Sequence, residues 1–545
     1  MRHAASHSPF YRRWLAENGP LGDGPVQLQR LPVLDKALLM EHFDELVCDP
    51  RLRRDTLLDW VGQLTGDRLY LDRYRVLVTS GSSGRPGLFV YDPVGWRSIG
   101  AQFVRSSNWA GLAPSWPRQR LAFLGGVGPS HVTRQGAATL SIGLHRVLAL
   151  PVTLPLPRLV EALNRFQPTY LNVYPSVAMW LADEQQAGRL RLSPRMLVTI
   201  AELRTPAMTQ RLAEAFGVHP FDAYGCTEGL FGSECEHHQG IHLFEDTTLV
   251  ENLDADGQPV PAGQPGARLL VTNLSNMVQP LLRLEVTDLV TLDPDPCPCG
   301  RILVRARTIH GRSDDVLWLA ARDGGRVAVH PLQFALLTRD PQVREFQVVQ
   351  DGPALRVLIV PSHAAPADDN RLETRLGQAV TRQLLGLGVH DPQVIVERRQ
   401  QLPRSAGGKL KLVIADPAAR PAHADTHCPL AGREAALDAA EEPAGTLGPG
   451  ALPHDPQPQL AAVAGHDLVE AVPGHAGRLQ GRAPAIPEGV GDPRAGVQRR
   501  RPPPRVLLDQ GPGAPAQLDR LLGERKSVRR IAHRSRTTGA RSVPA

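Results

Sequence analysis

Thr79, Ser80, Gly81, Ser82, Ser83 and Gly84 form a run of hydroxyls and glycines. Glycines let backbone approach a ligand closely, and the bare N–H groups and hydroxyls of such a loop can face an anion. Alone, the run also reads as an ordinary surface turn. It is not a Walker A loop, because no Lys follows the last glycine. A second group is Tyr224, Gly225, Cys226, Thr227 and Glu228. A Tyr there can stack on a purine, Thr227 offers a hydroxyl to a phosphate, and Glu228 offers a hard oxygen to Mg²⁺. The ordinary alternative is a strand–turn with a Glu at a helix start. Cys226 reads as a small packing residue, since no His lies near it in sequence. Asp288 sits in VTDLV, and Arg312 and Asp315 sit in GRSDD. Lys409 follows Gly407 and Gly408, where a long flexible cation can reach a point of developing charge. Lysine is rare in this chain, confined to Lys36, Lys409, Lys411 and Lys526, so the 409/411 pair carries weight. Lys411 is the fallback, and a solvated loop lysine the bland reading. Cys235, His242, Cys297 and Cys299 could make a tetrahedral Zn²⁺ shell, the last two from the tight turn CPCG. His237 or His238 could replace His242, and reduced free thiols are the alternative.

These residues need elements to hold them. The apolar run 74–78 reads as a strand feeding the glycine loop, with a second strand over 88–91. Helical spacing over 34–47 has Asp35 as its N-cap. Strands are expected over 121–124, 145–150, 169–173, 196–200 and 218–223, with helices over 156–166, 175–187 and 206–216 between them. Such alternation means a mostly parallel sheet covered on both faces, with ligands beyond the carboxyl ends of strands. Since the glycine loop and YGCTE both follow strands, they are expected to meet at one cleft. Short strands with Gly, Pro and Asp-Gly turns follow over 243–292. A small α+β unit comes next, with a hairpin of 345–350 and 355–360, a helix over 371–387 and a strand over 393–397.

In order and separation, the glycine loop, FDAYGCTEG, LRLEVTDLV, IHGRSDDVL and RSAGGKLKLV resemble the adenylate-forming superfamily. HSPFYRR and LPVLDKALL resemble the opening helices of its phenylacetate–CoA ligase family. The resemblance spans about residues 8–416 and is weakest over 316–400. It implies an α/β fold: a large AMP-binding domain (1–311) with parallel-sheet and β-rich subdomains, and a small α+β domain (312–417) after a hinge. It implies ATP-dependent activation of a carboxylic acid, plausibly aromatic, to acyl-AMP, then transfer to coenzyme A. The glycine loop, Tyr224 and Gly225 would hold ATP, Thr227 and Glu228 its phosphates and Mg²⁺, Asp288 the ribose, and Arg312 the ribose or the phosphates. Asp315 would be the hinge, and Lys409 would bridge the acid and the α-phosphate. Relatives carrying CPCG suggest a structural zinc. The acid pocket is expected near 125–131, Tyr174 and 201–203. Two rivals stay open. One is adenylation without coenzyme A, the acyl group going to a carrier protein or the AMP to another cofactor. The other is a degenerate nucleotide-binding regulator, suggested by Gly87, where many superfamily members carry Lys.

Composition bounds the rest. With 545 residues, 42% hydrophobic, the chain can bury a large core in at least two domains. The net charge of +6 is spread out without aromatic interleaving, which argues against nucleic-acid binding. No apolar run could span a bilayer, and the first residues lack an apolar signal core, so a cytoplasmic protein is expected. Six cysteines in so long a chain are not a disulfide framework. Residues 418–545 contain no Phe, Trp or Tyr and are expected to be a disordered tail or an out-of-frame readthrough. The oligomeric state is left open.

Overall fold

The structure is a computed structural model describing residues 1–19, 28–79, 87–113, 115–126, 128–141, 143–362, 371–405 and 407–420. Ser80, Gly81, Ser82, Ser83 and Gly84 therefore lie outside the described residues, as does the expected tail beyond Arg420. The described chain continues through Ala418, Ala419 and Arg420, past the expected boundary at 417, and Ala419 is buried.

Nine strands form one sheet among the described residues. Five are parallel: Arg146–Pro151, Arg120–Gly125, Tyr170–Val173, Met196–Ile200 and Phe221–Gly225, in that spatial order. Phe231–Glu234, Ile241–Leu243, Arg305–Arg312 and Asp288–Leu292 extend the sheet antiparallel. The parallel part follows from its sequence. Tyr170–Val173 is buried at every position, as a strand covered on both faces must be. The helix Leu156–Phe166 turns Leu159, Val160 and Leu163 inward at helical spacing. Thr205 caps Pro206–Phe216 by accepting from Met208 N–H.

The Arg75–Val78 strand is not part of the parallel sheet; it pairs antiparallel with Leu88–Tyr91 in a separate two-stranded sheet. The helix Pro93–Trp109 was not expected, although Asp92 caps it through Gly95 N–H and Pro93 opens it. Thr248–Leu253, Arg268–Asn273 and Leu284–Val286 form a three-stranded antiparallel sheet within the β-rich stretch. After Asp315 come the hairpin Leu317–Ala320 and Arg326–Val329, then a four-stranded sheet. That sheet contains the expected hairpin, now Val343–Asp351 with Ala354–Pro361, flanked by Gln393–Arg398 and Val413–Ile414. The helix Arg371–Gly386 buries Leu372, Leu376, Val380 and Leu384 in the same core. No helix among the described residues is long and apolar enough to cross a membrane.

Candidate active site

A cleft of about 980 Å³ opens where the sheet's carboxyl ends meet the lysine segment 404–413. Thr79, Tyr224, Gly225, Thr227, Glu228, Asp288, Arg312, Asp315 and Lys409 all line it. Thr79 reaches the cleft although its strand lies outside the main sheet. Cys226 N–H donates to Leu230 O, closing a tight turn that carries Thr227 and Glu228. Asn273 Nδ2 holds Glu228 O, and Tyr91 OH holds Thr227 O. The turn's backbone is thus fixed from two sides, while the Glu228 carboxylate makes no ion pair among the described residues. A hard carboxylate facing a polar cleft fits a Mg²⁺ ligand that works together with substrate phosphates.

Asp288 and Arg312 lie directly opposite each other in neighbouring strands. Arg312 Nε is 3.7 Å from Asp288 Oδ1, and Tyr224 OH donates to Asp288 Oδ2 at 2.9 Å. The three sites therefore form one unit, a link that sequence spacing could not show. Asp315 accepts an ion pair from Lys411 Nζ at 2.7 Å. Lys411 is thereby tied to the expected hinge, leaving Lys409 as the lysine without an ion pair among the described residues of this segment.

Lys409 is placed by its loop. Gly408 has φ +79°, and a Cβ there would lie 2.2 Å from Val152 Cγ2, so only glycine lets the loop approach the main body this closely. Ser405 Oγ accepts from Lys409 N–H and Ser405 N–H donates to Lys409 O. Burial, then the Arg312 guanidinium, lowers the Lys409 ammonium's hold on its proton. His131 lies at the same end of the cleft, and burial and Lys409 push it down to about 4, so it is neutral at pH 7.

Glu202 was within the expected pocket, but its role was not foreseen. Its Oε1 accepts Leu410 N–H at 2.7 Å and its Oε2 accepts Ser176 N–H at 3.0 Å. It clamps the residue beside Lys409 to the start of the helix Pro175–Gln186. Ala201 before it has φ +72°, a left-handed conformation that costs a non-glycine residue about 1 kcal/mol. Such strain next to a cleft is a structural signal with no counterpart in the sequence. Arg404 reinforces the clamp: it donates to Ser176 Oγ, pairs with Glu345 and stacks over Trp180. Of the expected pocket, His131, Ala201, Glu202 and Leu203 line the cleft. Tyr174 is buried behind it, its ring centroid 5.9 Å from Lys409 Nζ and its hydroxyl accepting from Gly126 N–H.

A second cluster lies apart from these groups. Cys235 Sγ is 3.6 Å from Cys297 Sγ, and Cys299 Sγ is 3.5 Å from His242 Nε2. The four ligand atoms lie within 4.8 Å of one another. Tetrahedral zinc with Zn–S bonds of about 2.3 Å separates its ligand atoms by about 3.7 Å, so the donor set fits. The wide sequence gap is bridged because His242 stands opposite Arg305 in adjacent strands. His242 Nδ1 faces Leu303 O, which turns Nε2 toward the thiols. His237 is exposed and His238 bonds Glu234, so neither replaces His242.

A family model described as AMP-binding enzyme matches residues 73–277. The chain is 30% identical to a phenylacetate-coenzyme A ligase of Thermus thermophilus, over 74% of this chain and 92% of that one. Its fold is similar to that of a 2-hydroxyisobutyryl-CoA ligase solved in the postadenylation state with an acyl-AMP, with a TM-score of 0.58. That similarity covers 76% of this chain and 87% of the other at 24% identity, and so concerns the fold.

Proposed function

Because the chain belongs to the phenylacetate–coenzyme A ligase family of adenylate-forming enzymes, we propose that it activates an organic acid with ATP and passes the acyl group to coenzyme A. The observation that carries this reading is the position of Lys409 in a cleft that offers both apolar and polar walls. Phe103, Phe123, Val132, Ala137, Leu140 and Ile200 supply apolar lining, which suits an aromatic acid. Glu228, Asp288, Arg312 and Tyr224 supply polar lining.

In this reading the acid's carboxylate attacks the α-phosphorus of ATP, and pyrophosphate leaves with the electrons of the broken P–O bond. Lys409 spans the carboxylate and the α-phosphate, offsetting charge that grows in the transition state. Tyr224 stacks on the purine, while Asp288 and Arg312 hold the ribose. Thr79, Gly225 and Thr227 face the phosphates; Ser80 to Gly84, outside the described residues, are given that role by the family resemblance alone. Bound at Glu228, Mg²⁺ would neutralise phosphate charge. The thiol of coenzyme A then displaces AMP from the acyl-adenylate. For that step residues 312–417 would act as a smaller module turning at Asp315 against residues 1–311. Zinc on Cys235, His242, Cys297 and Cys299 would be structural.

The test is ATP–pyrophosphate exchange across a panel of aryl and alkyl acids, followed by addition of coenzyme A. Exchange with an aryl acid and then acyl-CoA formation is expected. Exchange without thioester would move the acceptor to a carrier protein or another cofactor. ATP binding with no exchange for any acid would favour a regulator.

A further inference from the structure

The chain meets nearly every need for a cation with arginine. Of its 61 basic residues, only Lys36, Lys409, Lys411 and Lys526 are lysine. Lys526 lies outside the described residues, and the other three all line the one cleft. Lys411 pairs with Asp315, and Lys409 is carried in by its glycine loop. Lys36 opens the helix Lys36–Glu41, more than 40 residues before Thr79 in sequence. It makes no ion pair among the described residues.

The cleft wall is shaped around this side chain. A Cβ on Gly87 would lie 2.7 Å from Lys36 Cε, 2.8 Å from Phe89 Cε2 and 3.1 Å from Thr79 Oγ1. The missing side chain at Gly87 leaves room for the lysine stem beside Thr79 and for the Phe89 ring. Gly87 N–H donates to Thr79 Oγ1 and Thr79 N–H donates to Gly87 O, so this gap is closed and held on both sides. The charges that act on the Lys36 ammonium are Glu228, Arg312 and Asp314, and burial weakens its hold on its proton. Glu228 and Arg312 act on Lys409 as well, but Lys409 also feels Glu202 and itself acts on His131. Both lysines thus feel Glu228, but Lys409 stands by the Tyr174 ring whereas Lys36 stands by Thr79 and Gly87, at the start and end of the glycine loop.

We propose that Lys36 is a phosphate-binding residue of this cleft, holding the β- and γ-phosphates of ATP and then the departing pyrophosphate. The inference rests on the adenylation reading above. When the acid's oxygen bonds to the α-phosphorus, the α–β bridging oxygen leaves with the bond's electron pair, and negative charge grows on the pyrophosphate. An ammonium already fixed there stabilises that charge without reorganising. Lysine suits the place because its charge is compact and its stem is thin enough for the gap beside Gly87, whereas a planar guanidinium is broader.

The experiment is calorimetric titration of the full chain and of Lys36→Met with Mg-ATP, pyrophosphate and AMP. Methionine keeps the stem and removes the charge. Loss of a charged hydrogen bond should weaken ATP and pyrophosphate by about 10-fold or more. AMP affinity and melting temperature should not change. Lys36→Arg should recover part of the loss. Lys36→Gln, also long and uncharged, should weaken ATP relative to AMP in the same sense and serves if Lys36→Met does not fold. Unchanged ATP affinity in Lys36→Met overturns the proposal, as does an equal loss for AMP. Wild type that binds AMP but not ATP would overturn the adenylation reading and this proposal together.

Discussion

Lys409 and Glu345 show what burial does to single charged groups. Lys409 has no carboxylate in ion-pair range among the described residues, yet Glu202, Asp288 and Glu228 favour its charged form at longer range. A cation so placed acts chiefly when new negative charge appears. Lys409→Met is expected to lower the exchange rate by about 10²- to 10³-fold. ATP affinity should barely move, because the contact is made in the transition state. An exchange rate near wild type would remove Lys409 from the chemistry. Glu345 is 5% exposed, and burial pushes its carboxyl up to about 7 against the pull of Arg404. The folded state therefore binds this proton more tightly than the unfolded chain does. The resulting stabilisation is complete below the ordinary glutamate range and is lost as pH rises through about 7. Glu345→Gln carries no such proton, so its stability relative to wild type should rise between about pH 5 and pH 7.5. Denaturant midpoints at the two values would test this, and a constant difference would refute it.

At the scale of elements, the long strand Arg305–Arg312 joins two sites. Arg312 at its end stands opposite Asp288 in the cleft, and Arg305 at its start stands opposite His242 in the cysteine–histidine cluster. Zinc there would tie the turn Cys297–Cys299 to the segment after Phe231–Glu234 and fix one edge of the sheet. Metal binding to such a set contributes directly to folding free energy. Elemental analysis should find zinc in the purified protein. Cys297→Ser should lower both the zinc content and the melting temperature, the latter by roughly 5 °C. Wild type without zinc would end this reading. Since the strand runs on to the cleft, zinc loss should also weaken nucleotide binding, though less than loss of Asp288.

At the scale of the whole molecule, the lysine segment docks through few groups. Glu202 accepts Leu410 N–H, and Arg404 reaches Ser176 while pairing with Glu345. The Lys411–Asp315 pair links the same segment to the expected hinge. The Glu202–Leu410 and Ser176–Arg404 contacts would have to part if residues 312–417 turn for thioester formation, whereas Glu345 would move with the segment, so those two should serve the first half-reaction alone. Arg404→Ala is expected to lower pyrophosphate exchange by about 10- to 100-fold, the cost of misplacing a catalytic group by about 1 Å. Thioester formation from preformed acyl-AMP should be much less affected. Equal loss in both half-reactions would show that Arg404 supports the fold rather than the docking.

Local order was legible because it is written by neighbours. The spacing of Leu159, Val160 and Leu163 and the Thr205 cap specify their helices within a few residues of chain. The same holds for the strand Met196–Ile200, an apolar run between polar turns. The motifs carrying Glu228, Asp288, Arg312 and Lys409 were legible too, since each is a short run of particular residue types. Tertiary structure decided which of these groups meet. Leu410 and Glu202 are 208 positions apart, and Tyr224 and Asp288 are 64 apart. It placed His242, and neither His237 nor His238, among the three cysteines, and it paired Lys411 with Asp315. It also brought Lys36 into the cleft beside Gly87. The sequence held a hint in the scarcity of lysine, but no spacing rule connects position 36 to position 87. Such pairings come from how helices and strands pack, where burial of many apolar side chains sets the register and polar groups take the partners that remain.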